Sequence, residues 1–208
     1  AHEGRLGTDP IHVIVLTGAG DRIFSAGYDL SELAEKNGSL EKGRQFDQMW
    51  DRITGKLASY PGLTVAALNG VCAGGGLSFS IACDLRLAAD RCQLFYPVLK
   101  NHVLPSPTDV MRLNRLIGPA RAKAVLMGGV RLTADEALAW GLVDAVVSAN
   151  ELESVVRRFT SAAGEALPHE VWAMKRLCDA PEDSELVETC YRAIYGKEPD
   201  AQEGLGPG

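Results

Sequence analysis

Apolar residues recur along this chain in two rhythms, and the switch between them predicts its elements. Residues 11–17, Ile-His-Val-Ile-Val-Leu-Thr, are β-branched and end in the turn cluster Gly18-Ala19-Gly20-Asp21, which predicts a buried strand. Phe24 to Gly27 is a second short extended piece. Asp29 to Lys36 has helical composition and stops at Asn37-Gly38. Leu40, Phe46, Trp50, Ile53 and Leu57 then recur at helical spacing with charges between them, an amphipathic helix over 40–59 ended by Pro61-Gly62. Residues 63–69 form another apolar strand. The turn Gly70-Val-Cys-Ala-Gly74-Gly75-Gly76 follows, and then Leu77 to Cys83, apolar all round. Further strands are predicted at 84–88 and near 93–96.

The second half is mainly helical. Ser106-Pro107-Thr108-Asp109 is a helix start, with serine at the N-cap, proline at the first helical position and a carboxylate in the capping-box place. Thr133-Ala134-Asp135-Glu136 repeats the signature before Ala137 to Trp140. A short strand is expected within Val143–Val147, and helices over Glu151–Glu165 and Val171–Leu177. Strands alternating with helices, followed by helices alone, predict an α/β core with a helical C-terminal part.

Composition narrows the function. The 208 residues are 46% hydrophobic and 23% charged, a globular balance. A formal net charge of −6 argues against bulk nucleic-acid binding, which draws on basic excess to displace counterions. The five cysteines, Cys72, Cys83, Cys92, Cys178 and Cys190, show no metal-ligand spacing. They are expected to be reduced and mostly buried thiols of a cytoplasmic protein. His2, His12 and His169 are scattered, so no metal site is expected. No apolar run reaches the length of a membrane span, and Ala1 to Pro10 has no signal-peptide core.

Gly74-Gly75-Gly76 before an apolar helix lets backbone N–H groups approach a ligand closely. The helix N-terminus adds unsatisfied donors and a positive dipole end, which suits an anion or a developing oxyanion. A tight packing turn is the structural alternative. Nucleotide motifs fail: Ile23 stands where a dinucleotide fingerprint starting at Gly18 needs its third glycine, and no Gly-Lys-Ser/Thr follows any glycine cluster.

Val13-Ile-Val-Leu-Thr-Gly-Ala-Gly20 followed by Phe24-Ser-Ala-Gly-Tyr-Asp-Leu30 resembles the signature V-V-L-T-G-x-G…F-x-A-G-x-D-L of the crotonase (enoyl-CoA hydratase/isomerase) family. Ala67-Leu-Asn-Gly70, Ala73-Gly-Gly-Gly76 and Ala82-Cys-Asp-Leu-Arg86 are similar to its second signature. Arg112-Leu to Ile117-Gly118, Ala134-Asp-Glu-Ala137 and Gly141-Leu-Val143 match later landmarks, so the likeness runs from about Ile11 to Val147.

The resemblance implies a spiral of ββα units forming two roughly perpendicular sheets. The core is expected over 1–130, and a helical oligomerisation region over 131–208 that builds a homotrimer or a hexamer of two trimers. It implies fatty-acid-type chemistry, of lyase or isomerase class, on an acyl-CoA thioester. Coenzyme A enters as part of the substrate, and no cofactor is tightly bound. The backbone amides of Tyr28 and Gly75 would hold the thioester oxygen while an enolate forms. The acyl-CoA site implied by motif position comprises Ala26, Tyr28, Asp29, Leu30, Cys72, Gly74, Gly75, Ser78, Pro97, Val98, Asn101 and Ser106. Lys175 resembles a lysine found near CoA in relatives, with an exposed helix lysine as the alternative.

Three departures shape the expected reaction. Ser78 and Val98 stand where hydratases carry glutamates, and hydration needs one group to activate water and one to deliver a proton. A simple hydratase is therefore disfavoured; isomerisation, decarboxylation or C–C bond hydrolysis remain. The family's opening strands and its R-P-x-x-x-N-A-L motif have no counterpart, so N-terminal strands are expected to be missing, and the closing helix is expected to be cut off at Glu203-Gly204. Replacement chemistry has several candidates. His102 is a candidate general base, or a loop histidine that packs or faces solvent. Asp109 is a partner for it or, as preferred, a helix cap. Ser78 would need a base beside it to act as a nucleophile. The ring of Tyr28 either shapes the pocket or donates a proton. A β-diketone hydrolase using His102, and a non-catalytic acyl-CoA-binding protein, are the alternative functions.

Overall fold

The computed structural model describes residues 11–29 and 39–196. Strands β1 (Val13–Thr17) and β2 (Ile23–Ser25) lead to helix α1 (Leu40–Ala58). β3 (Leu63–Leu68) and β4 (Val71–Ala73) lead to α2 (Gly75–Ala82), and β5 (Leu85–Ala89) and β6 (Gln93–Phe95) to α3 (Pro107–Leu126). This is one ββα unit repeated three times. Each unit sends its first strand to one sheet and its second to the other.

The remaining elements are β7 (Leu132–Thr133), α4 (Ala134–Trp140), β8 (Ala145–Val147), α5 (Leu152–Glu165), α6 (Pro168–Asp179) and α7 (Ser184–Tyr195). The first sheet is parallel, in the order β1-β3-β5-β8. In the second, β2, β4 and β6 run parallel and β7 closes it antiparallel to β6. β7 and β8 thus complete both sheets with residues from beyond position 130. The expected helical region of 131–208 also contains these strands, and α5 packs back on β3 and β5.

The core lies where the sheets and α2 meet. Val65, Leu68, Leu77, Leu87 and Leu94 are fully buried, joined by Leu113, Leu132 and Leu142. α2 is buried on all its faces, which is why its sequence shows no polar stripe. Cys72, Cys83, Cys92 and Cys190 are buried and Cys178 is exposed; all five are free. Burial pushes the Cys83 thiol up to about 12 and that of Cys92 to about 11.

Polar side chains pin the turns. Asn69 accepts from Gly18 N at 3.0 Å and donates to the carbonyls of Gly18 and Gly20, holding the turn after β1. Asp84 Oδ2 accepts from Thr64 N at 2.7 Å, Thr64 Oγ1 at 2.9 Å and Lys175 Nζ at 2.8 Å. Buried Arg86 donates to the carbonyls of Leu142 and Cys83 and pairs with Asp144 at 3.1 Å. The Thr133–Glu136 capping box is present.

Three local expectations change. β1, expected as a buried strand, is half-buried to exposed, with Val15 44% exposed, because it pairs only with β3 at the edge of the described sheet. Val71–Ala73, expected as part of the glycine turn, is a strand, because it pairs with β2 on one side and β6 on the other. Asp109 supplies only half of a capping box. Its N–H donates to Ser106 Oγ at 3.2 Å, but its carboxylate turns inward to other partners. The helix expected from Asp29 to Lys36 lies, from Leu30 onward, outside the described residues.

Candidate active site

Two backbone segments meet with almost nothing between them. A Cβ on Gly27 would lie 2.9 Å from the Ala73 carbonyl and 3.2 Å from Gly75 N. Gly27 also has φ +98, which side chains rarely adopt. Only glycine permits this approach, so the turn after β2 and the start of α2 form one surface. A Cβ on Gly75 would sit 3.7 Å from Tyr28 N, so the two residues lie against one another. Gly75 opens α2, whose first-turn N–H groups have no intrahelical acceptors.

That surface floors a pocket of about 80 Å³ lined by Ala26, Gly27, Tyr28, Phe46, Asp47, Trp50, Gly74 and Gly75 on one side. Tyr96, Pro97, Val98, Asn101, Val103, Leu104, Pro105 and Ser106 form the other. The aromatic wall comes from α1. Tyr28 meets Phe46 edge-on at 4.9 Å between ring centroids, and Phe46 stacks on Trp50 at 5.8 Å. The Trp50 ring also lies against Gly75, within 2.8 Å of an ideal Cβ there.

Behind this wall runs a buried polar chain. Trp50 Nε1 donates to Ser78 Oγ at 2.5 Å, and Ser78 Oγ donates to Asp109 Oδ2 at 2.5 Å. Tyr96 OH donates to the same oxygen at 3.0 Å. Asp109 Oδ1 is buried with no hydrogen bond; the Arg112 guanidinium is 3.6 Å away, an ion pair too long to count as one. Burial raises the Asp109 carboxyl above its ordinary range, against the opposing pull of Ser78, Tyr96 and Arg112. Burial, together with the Asp109 charge, raises the Tyr96 phenol too, so it remains a donor.

Of the residues implied by the resemblance, Ala26, Tyr28, Gly74, Gly75, Pro97, Val98, Asn101 and Ser106 line the pocket. Leu30 lies outside the described residues. Asp29 is exposed and does not line the pocket. Cys72 is fully buried in the core, and Ser78 is sealed behind Trp50 with 0% exposure. His102 is exposed at φ +55, while its neighbours Asn101 and Val103 line the pocket; this placement lends no geometric support to a base role. Lys175 pairs with Asp84 and donates to the Gly62 carbonyl, so its ammonium holds structure together.

Seven pocket side chains are not assigned to the site by the sequence: Phe46, Asp47, Trp50, Tyr96, Val103, Leu104 and Pro105. The helical period of α1 places Phe46 and Trp50 on its apolar face. Asp47, three residues before Trp50, shares a neighbouring stripe. That spacing was the available signal, and it does not say which segment faces it. Among the described residues no group of histidine, cysteine or carboxylate side chains is arranged to hold a metal, and no helix is long and apolar enough to cross a membrane.

The family model described as enoyl-CoA hydratase/isomerase matches residues 5–194. The chain is 34% identical over 196 residues to carnitinyl-CoA dehydratase of Salmonella arizonae, covering 89% of this chain and 70% of that protein. It is 34% identical over 148 residues to short-chain-enoyl-CoA hydratase of Clostridium acetobutylicum, covering 71% of this chain and 56% of the relative. The solved enoyl-CoA hydratase of Bacillus anthracis superposes with a TM-score of 0.80 at 30% identity, over 90% of this chain and 74% of that one.

Proposed function

The chain belongs to the enoyl-CoA hydratase/isomerase family, and from that premise we propose that its pocket binds an acyl-CoA thioester and stabilises the derived enolate between the amides of Tyr28 and Gly75. The observation that supports this is the glycine-only contact between the turn after β2 and the start of α2, with Tyr28 and Gly75 both lining one pocket. Fixed donors of this kind act where charge develops. Removing one costs about 2.7–4 kcal/mol of transition-state stabilisation in enzymes that depend on it.

The relatives' names describe hydratase and dehydratase reactions, but simple hydration suits this pocket poorly. Ser78 is committed to Trp50 and Asp109, and Val98 presents an apolar wall. Neither activates water. Isomerisation, decarboxylation or C–C cleavage through the enolate fits better. Assembly as a trimer through the C-terminal helices is part of the same proposal, and light scattering of the purified protein tests it.

The experiment for the reaction is mass spectrometry of crotonyl-, 3-enoyl-, malonyl-type and β-keto-CoA thioesters incubated with the protein in deuterated water. Deuterium uptake, or a product mass, establishes the enolate. Hydration at an ordinary hydratase rate would defeat the argument from Ser78 and Val98. A second reading, a non-catalytic acyl-CoA-binding protein, draws on the same two residues. It gains if the thioesters bind and none changes.

A further inference from the structure

An oxyanion cradle alone moves no proton, and the two positions where hydratases of this family carry glutamates hold Ser78 and Val98. The pocket nevertheless contains a carboxylate. Asp47 sits on α1 between Phe46 and Trp50 and lines the same pocket as Tyr28 and Gly75. Among the described residues lining that pocket it is the one acidic side chain. Tyr96 is committed as a donor to Asp109.

The surroundings of Asp47 suit a group that both takes and returns a proton. It is half-buried and has no ion-pair partner among the described residues. Its charged neighbours are Asp51, one turn on along α1, and Asp109 at the start of α3, whose nearest cation is Arg112. Burial and the two carboxylates raise its carboxyl above the ordinary range, which brings a carboxylate closer to the operating pH of a useful base.

We propose that Asp47 is the proton carrier of this site, serving the isomerisation among the reactions named above. The proposal rests on the acyl-CoA reading above. In a 3-enoyl thioester the Asp47 carboxylate takes the proton from the α-carbon. The electron pair of that C–H bond enters a dienolate whose negative oxygen lies between Tyr28 N and Gly75 N. Asp47, now a carboxylic acid, gives its proton to the γ-carbon. The carbonyl re-forms and the double bond moves from β–γ to α–β. No water, oxidant or second acid enters the balance.

The test uses the full chain, its Asp47→Asn and Asp47→Glu variants, and two readouts. Calorimetric titration with butyryl-CoA, which has no double bond to shift, reports binding. Conversion of a 3-enoyl-CoA to the conjugated ester in deuterated water, followed by absorbance and mass, reports chemistry. The expected result is that all three proteins bind butyryl-CoA alike. Asp47→Asn loses conversion and deuterium uptake by roughly 10²–10⁴-fold, the usual contribution of a positioned acid or base, and Asp47→Glu recovers part of both. Wild-type rates in Asp47→Asn would overturn the assignment, as would a wild-type protein that binds but neither exchanges nor isomerises. Hydrated product as the main outcome would overturn the proton-shift claim. Failure of the wild type to bind butyryl-CoA would instead remove the acyl-CoA reading, and this proposal with it. Asp47→Asn relieves like-charge repulsion, so an unfolding midpoint at or above wild type confirms that lost chemistry is not lost folding.

Discussion

Trp50 donates its indole N–H to the buried hydroxyl of Ser78 at 2.5 Å, and in doing so covers that hydroxyl on the pocket side. The ring covers Gly75, and Ser78 passes the interaction on to Asp109. The aromatic face of α1, the start of α2 and the first turn of α3 are thereby linked through one hydroxyl that accepts once and donates once. The hydroxyl's single proton is committed to Asp109, and a neutral hydroxyl is no base for water.

Removing that hydroxyl tests the linkage. Ser78→Ala strands the Trp50 N–H and takes one of two donors from the buried Asp109 oxygen. Leaving a buried polar group unsatisfied costs about 1–3 kcal/mol, so the denaturant midpoint should fall. Trp50 fluorescence should shift as the indole loses its partner.

Gly75→Ala tests the proposed oxyanion cradle directly. The new methyl group would meet the Trp50 ring at 2.8 Å, so the indole must move or the turn must open. Thioester turnover should drop by roughly 10²–10³-fold, the usual effect of spoiling one oxyanion donor. Initial rates with a 3-enoyl-CoA against the wild type check it.

Two carboxyls give opposite pH signs for activity and stability. Asp47 is raised above its ordinary 3.8 by burial, Asp51 and Asp109. Because the carboxylate is the base, activity should be lost as pH falls through this raised value, and Asp47→Asn should lack that limb. For folding, the raised value means that ionisation is harder in the native state than in the unfolded one. The penalty is absent below the unfolded value near 3.8, grows as pH rises toward the native value, and is complete above it. Asp109 behaves alike, with burial as its main cause. Denaturant midpoints across pH should show Asp47→Asn gaining on wild type at neutral pH and losing that advantage near pH 3.8.

Lys175 offers a test of structural against ligand-binding use. Its ammonium is 2.8 Å from Asp84 Oδ2, an oxygen that also holds Thr64. Lys175→Met should lower stability by about 1–3 kcal/mol, the cost of leaving a polar partner unmet, and leave the Kd for butyryl-CoA unchanged. A weakened Kd with unchanged stability would show that the lysine reaches CoA instead.

What the sequence determined by itself is local or lies in linked motifs. The β-branched run at β1, the period of α1, the Ser106-Pro107 helix start and the Thr133–Glu136 box are set by backbone sterics and by donors within a few residues of each other, so the residues in view suffice. The glycine cluster and the family resemblance located Tyr28 and Gly75 on the pocket floor. The tertiary structure alone decided what depends on a partner distant along the chain. Val71–Ala73 becomes a strand because β2 and β6 flank it. Asp109 turns inward because Ser78 and Tyr96 wait there, Cys72 belongs to the core, and His102 faces out while its neighbours face in. Asp47 is one charge among many on an amphipathic helix until packing rotates that helix over the glycine turn. Helical spacing fixes which residues share a face; the long-range contacts of folding fix what that face looks upon.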